Sequence, residues 1–261
     1  MAGRAADLSI LRFVGRRGGL LLTRTWRYTS TKEMHQPADQ ILSCRQVWEE
    51  MNAATAGGVL VRNFSRRIAM NRGFVVETDL FPREALNAYS DYNMGHPISE
   101  AQHNTYFSEH RGGSQGDYHD GIQQKISNVV DCLTCFPFSK RAVITVPNNS
   151  YAPHASDADA KCLREVHFYL DEDDNSQVNA DIKNKKFILN ATVLMRAQAA
   201  EIFPKNVHFL GRLMEMVAQQ LTIKGSSAGS NNDANDDKDV VSVVEIGELF
   251  YLATTLVSVR W

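Results

Sequence analysis

Apolar and polar positions follow two rhythms along this chain, and each switch between them marks an element. Residues 37–53 carry Ile41, Leu42, Val47, Trp48 and Met51 at helical spacing, with Pro37 near the start. Gly57 and Gly58 break that helix. Short apolar runs at 58–64, 67–70 and 73–78 read as strands around tight turns. Phe81 and Pro82 open a second helix. A third runs from Ile122 to Leu133, with Ile122, Ile126, Val129, Val130 and Leu133 on one face, and Pro137 stops it. Runs at 141–146, 163–170 and 187–195 read as strands. Phe203 and Pro204 start a long apolar helix reaching Leu221, the proline sitting near its first turn. Final strands are expected at 240–244 and 250–259. Residues 91–120, rich in His, Gly, Asn, Ser and Asp, read as loop. Gly225 to Asp239 is a Ser/Asn/Asp/Gly-rich insertion that cannot pack. No internal repeat is visible.

Charge adds an address. Residues 1–28 hold six arginines against one acid, Asp7, so the rest of the chain is mildly acidic beneath a formal net charge of −2. Arg-rich and acid-poor, this leader has the composition of a mitochondrial transit peptide, with the apolar side chains of Leu8–Val14 on one helical face. Arg27-Tyr28-Thr29-Ser30 resembles a matrix-processing site. The expected location is the mitochondrial matrix, and the expected folded unit is a single domain over 37–261. A disordered basic tail or a nucleic-acid arm is the other reading of the leader. The body has no global basic field that would suggest nucleic-acid binding. No apolar run approaches the ~18 residues a bilayer span needs. Four cysteines in 261 residues do not make a disulfide framework.

The candidate chemistry lies between Ser139 and Leu221. Lys140 and Arg141 open an apolar run ending in Val146-Pro147-Asn148. Cys162 leads a second run that contains Phe168 and Tyr169. A third run ends at Met195, followed by Arg196. Pro204 and Asn206 then open the long helix. A thiolate nucleophile needs cations around it, and Lys161 and Arg164 flank Cys162. Guanidinium groups suit phosphate, and an amide can donate to and accept from a heterocycle edge. Each residue also has a plainer role. Cys162 could be a small core residue, Arg196 an ordinary ion pair, Lys140 and Arg141 a solvated turn, and Asn206 a helix cap. Cys132-x-x-Cys135 has no second pair, and His96, His103, His110 and His119 match no compact ligand motif, so no metal is expected. Asp171 to Asp174 reads as a solvated hairpin turn.

In order and spacing together, this stretch resembles the thymidylate synthase family, which includes the deoxycytidylate hydroxymethylases. The resemblance covers about a third of the chain, and Asn71 to Phe74 weakly matches the family's opening sheet. It implies an α/β (α+β) fold: a mixed twisted sheet, helices on one face, and a dimer-type surface on the other. The helices at 122–133 and 206–221 would share that covered face. It also implies roles. Cys162 would be the nucleophile that adds to a pyrimidine nucleotide, and Arg196 the phosphate ligand of the same subunit. Lys140 and Arg141 would be the pair lent across a dimer interface. Asn206 would read the pyrimidine edge, as in the uracil readers. Methylenetetrahydrofolate would be the cofactor only if the site is active, and otherwise none is expected.

The chain departs from that pattern at several places. Leu163 stands where the family has a histidine, Lys161 where it has a proline, and Ala197 and Ala199 where it has a serine and an aspartate. Gly247 to Tyr251 replaces the ribose-holding motif, with Phe250 in place of its histidine. The expectation is therefore a catalytically eroded protein, a subunit of a mitochondrial assembly such as the mitoribosome, an RNA-processing complex or a respiratory complex. It would pair as a homo- or heterodimer through the sheet face. A pyrimidine nucleotide or RNA would be a further partner. The alternative is an active pyrimidine nucleotide methyltransferase or hydroxymethylase.

Overall fold

Ser43 decides where the first helix begins. Its Oγ accepts from the Gln46 amide at 3.3 Å while Gln46 Oε1 accepts from the Ser43 amide at 2.9 Å, a reciprocal cap. The helix α1 (Cys44–Thr55) therefore starts later than the periodicity predicts, and Ile41–Leu42 just before it form the short strand β4. The computed structural model describes residues 40–107, 111, 116–147, 161–172, 186–221 and 243–258, plus the backbone of three upstream strands. Those strands are β1 (Leu11–Arg17), β2 (Leu20–Trp26) and β3 (Thr31–Glu33). β1 and β2 pair antiparallel, so residues 11–14 are strand where a helical face was expected, and the start of that expected helix at residues 8–10 lies outside the described residues. The expected processing site at 27–30 and the insertion at 225–239 lie outside the described residues.

Four further corrections have physical causes. The runs at 58–64 and 67–70 are one strand, β5 (Leu60–Ala69). The polar Ser65-Arg66-Arg67 looked like a turn, but Arg66 is buried and its Nε donates to Glu50 of α1 at 2.6 Å. The run at 73–78 is not a strand. A 3₁₀ turn at Met70–Arg72 leads into Gly73 at φ +100°, and Phe74 and Val76 are buried without joining a ladder. After α2 (Arg83–Asn93), the expected loop contains a helix, α3 (Glu100–Tyr106), started by a second reciprocal cap between Ser99 and Gln102. The two final strands are one, β10 (Val243–Val257), whose polar interruption is a bulge. At that bulge a Cβ on Gly247 would lie 2.3 Å from Asn190 Oδ1, so only glycine fits.

The remaining elements follow the pattern: α4 (Ile122–Cys135), β6 (Val143–Thr145), β7 (Leu163–Glu172), β8 (Lys186–Met195), the short β9 (Gln198–Ala199) and α5 (Phe203–Gln220). The main sheet is mixed and open, in the order β3-β5-β10-β8-β7-β6, with β4 beside β5 and β9 beside β10. β10 runs parallel to β8 and antiparallel to β5. Side chains alternate across it. Val166, Phe168, Leu189, Val193, Leu249 and Tyr251 point into a core. There α1 meets β5 and β10, α5 meets β8 and β10, and α4 meets β6 and β7. The helices at 122–133 and 206–221 thus share one face and touch each other. The opposite face carries Arg67, Tyr169, Asp171, Thr192, Glu248 and Phe250 around a cavity of about 400 Å³.

Candidate functional site

Three element ends bring the candidate residues together. β7 starts just after Cys162, β8 ends just before Arg196, and α5 carries Asn206 in its first turn. The Arg196 amide donates to the Cys162 carbonyl at 2.7 Å, and Arg196 Nε reaches the Lys161 carbonyl at 3.4 Å. A register shift between Leu163 and Glu165 bulges Arg164 outward, so that Leu163 and Val166 both face the core. Thr254 of β10 donates its hydroxyl to the Arg196 carbonyl and ties the third strand in.

Behind Cys162 stands a buried polar cluster. Asn206 Nδ2 donates to Gln198 Oε1 at 2.8 Å, and the Tyr89 hydroxyl donates to the Gly116 carbonyl at 2.8 Å with Asn206 Oδ1 a second, longer acceptor at 3.3 Å. The Tyr251 hydroxyl donates to the same Gln198 Oε1 at 2.5 Å, and the Tyr118 hydroxyl accepts from the Leu163 amide at 3.4 Å. Burial pushes the phenols of Tyr89, Tyr118 and Tyr251 well above the usual tyrosine range, and the nearby Cys162 sulfur adds to the rise in each. Arg196 opposes the rise at Tyr118, so sulfur and guanidinium both lie within electrostatic reach of that ring. All three phenols are therefore neutral hydrogen-bond formers at physiological pH. Lys205, 2% exposed, closes one side: its Nζ donates to the Arg111 carbonyl at 2.6 Å and lies 4.4 Å from the Tyr89 ring centre. A Cβ on Gly116 would meet Lys205 Nζ at 2.8 Å and the Tyr89 hydroxyl at 2.9 Å, so a larger residue there would push on both.

Cys162, Arg196 and Asn206 thus converge, the last through Gln198 and Tyr89. Lys140 and Arg141 do not join them within one chain. The Phe168 amide donates to the Ala142 carbonyl at 2.8 Å, which sets Arg141 beside Tyr169. That position is roughly 25 Å along β7 from Cys162, at about 3.4 Å per residue. Both cations are exposed on a turn that also presents Phe136 and Phe138, 61% and 60% exposed. Asn206 is not a helix cap; its side chain bonds sideways to other side chains.

Sequence reasoning missed Tyr89, Tyr118, Gln198 and Lys205. Tyr118 sits in a stretch read as loop, and Tyr89 is one apolar position among several on its helix. Nothing local marks Gln198. Tyr251 was visible only as the last residue of the Gly247–Tyr251 segment. Among the described residues no three His, Cys, Asp or Glu side chains are arranged to hold a metal, and no helix is long and apolar enough to cross a membrane.

Comparison with known proteins adds no identification. No protein-family model matches the chain, and no curated protein matches it. The arrangement itself is a thiol and a guanidinium beside a closed, neutral hydrogen-bond network.

Proposed function

We propose that this chain is a diverged thymidylate-synthase-like protein, its pyrimidine site closed by its own side chains, serving as a non-catalytic subunit of a larger mitochondrial assembly. One observation carries this reading. Asn206, the amide that the resemblance offers to a pyrimidine, is 3% exposed, with its nitrogen donated to Gln198 and its oxygen against the Tyr89 hydroxyl, whose proton it shares with the Gly116 carbonyl. A base edge entering there must displace a buried glutamine and break bonds it cannot fully replace. The outward sheet face and the exposed Phe136/Phe138 turn supply the surface such a subunit needs. Either a second copy or a different mitochondrial protein would cover that face, and Lys140 and Arg141 would then reach a neighbour's phosphate-binding residues rather than their own.

Calorimetry of the full chain with deoxyuridine monophosphate tests the closed site. The expected result is no saturable heat at ligand concentrations near about 1 mM, a free energy of only about −4 kcal/mol. Saturable binding lost in Arg196→Ala would overturn the proposal. It would favour the second reading, an active methyltransferase or hydroxymethylase that uses Cys162 and methylenetetrahydrofolate, for which Cys162→Ala is the further control. That reading is favoured by the backbone bond that holds Arg196 against Cys162. Uptake of the labelled chain by isolated mitochondria, with loss of the leader, tests the address.

A further inference from the structure

Three histidines that the sequence left without a task meet in one place. A cavity of about 520 Å³ is lined by Tyr92, His96, Ile98, Glu100, His103 and His119. Its volume falls within the ~300–1,000 Å³ typical of small-molecule sites. Tyr92 and the three histidines bring flat rings to its wall. The Tyr92 ring lies 5.5 Å from His103, 4.7 Å from His119 and 4.6 Å from Phe107, centre to centre. His103 and Phe107 stack in parallel, 5.0 Å apart at 4°. Such faces accept a planar ring by stacking or edge contact.

The polar groups set which ring. Asp117 holds two members of the wall: its Oδ1 lies 2.5 Å from His119 Nδ1, and its Oδ2 accepts from the Tyr92 hydroxyl at 3.4 Å. An Nδ1–H donated to Asp117 leaves His119 Nε2 as an acceptor in the neutral ring. Glu100 is an acceptor too. His96 Nδ1 stands 3.7 Å from Asp91 Oδ1. No Lys or Arg lines the cavity among the described residues, and carboxylates lie in or behind its wall. The lining therefore offers acceptors and π-faces, with no Lys or Arg to hold a phosphate among the described residues.

We propose that this cavity, bounded by Tyr92, Glu100, His103 and His119, binds the base of a purine nucleoside whose ring N–H and neighbouring amino group both donate, the guanine pattern. A carboxylate accepts that pair of donors side by side, and charge-assisted bonds of this kind are the stronger ones. The site is separate from the Cys162 cluster and does not depend on the reading of that cluster.

Equilibrium dialysis of the full chain tests it with three probes: guanosine, inosine and guanosine 5′-monophosphate. Guanosine binds saturably with a Kd below about 1 mM. Inosine, which lacks the amino group, binds about fivefold more weakly, the cost of one lost hydrogen bond. The monophosphate binds no more tightly than guanosine. Glu100→Gln, at an exposed position, keeps the thermal midpoint and weakens guanosine about tenfold. Arg196→Ala leaves guanosine binding unchanged, so this test and the pyrimidine test fail independently. Absence of saturable guanosine binding to the folded wild type, equal binding of inosine, tighter binding of the monophosphate, or indifference to Glu100→Gln would each overturn the proposal.

Discussion

Asn190 and Asn206 are both buried, 8% and 3% exposed, and both donate from their amides to a neighbouring side chain, yet they sit on opposite faces of the sheet. Asn206 lies under the helices and bonds to Gln198 and Tyr89, both neutral. Asn190 lies on the outward face, donates to Asp171 at 2.8 Å and accepts from the Glu248 amide at 2.7 Å. Beside it, Arg67 pairs with Glu248. The covered face has exchanged water for a closed network of amides and phenols, with the buried Lys205 held by a carbonyl and a ring at its side. The outward face keeps ionised groups that water or a partner can reach. Buried polar groups, and buried cations such as Lys205 and Arg66, are tolerated where they are hydrogen-bonded or paired, while exposed charges can rely on solvent. The face with the candidate cysteine is therefore the more closed of the two, and the outward face the more open.

The largest break in that contrast comes from neighbouring residues of β10 that point opposite ways. Tyr251 is fully buried, with its ring edge-on to Phe203 at 5.3 Å and its hydroxyl on Gln198. Tyr251→Ala is expected to cost about 3–5 kcal/mol, the range for deleting a buried aromatic. Phe250→Ala, on the outward face, is expected to cost about 1 kcal/mol in the isolated chain. Urea unfolding of both variants measures the difference. Equal losses would mean the outward face is packed as tightly as the core.

Acid sharpens the comparison next. His208 of α5 is buried against Ser90 of α2, with its Nδ1 2.6 Å from Ser90 Oγ and its ring 5.7 Å from Phe74. Burial, with help from Arg212 and Arg83, lowers its pKa from 6.5 to about 4, against a backbone hydrogen bond at Leu86 that opposes the shift. The unfolded chain therefore takes up the proton first as pH falls. Stability contributed by the neutral ring is complete above about pH 6.5 and drains away towards about pH 4, about 3 kcal/mol in all. His208→Gln should flatten urea midpoints across that window, whatever its effect at neutral pH. An unchanged slope would place the acid sensitivity elsewhere.

Much of the fold was legible because apolar period and helix punctuation agree. The Ile122–Leu133 stripe, the Phe203-Pro204 start and the three apolar runs each mark one element. What failed had polar residues doing buried work. Arg66 split β5 in the sequence because nothing local announces Glu50 as its partner, and Gly247-Glu248 split β10 because a bulge reads as a turn. The 73–78 run failed for the opposite reason. Phe74 alternates like a strand residue but packs on α5, where Gly211 leaves room: a Cβ there would lie 2.2 Å from the Phe74 ring. At the candidate site, residues with a spacing to follow, Cys162, Arg196 and Asn206, do come together. Gln198 and Tyr89 could not be found, since their role exists only after α2, β9 and α5 meet.

The smallest expected effect lies in the ion pair between Arg67 and Glu248. The Arg67 guanidinium reaches Glu248 through Nε at 2.9 Å and through a terminal nitrogen at 2.7 Å, with the two side chains 36% and 30% exposed. Good geometry argues for a coupling, and solvent contact argues against a large one. A double-mutant cycle of Arg67→Ala and Glu248→Gln should return about 0.5–1 kcal/mol at low salt, shrinking as ionic strength rises. If a partner covers the outward face, the same cycle measured in the assembly should grow and lose its salt dependence, because the pair would then be desolvated on both sides. A coupling that is identical in the free chain and in the assembly would place the docking surface away from this face, and the Phe136/Phe138 turn would then be the surface to mutate next.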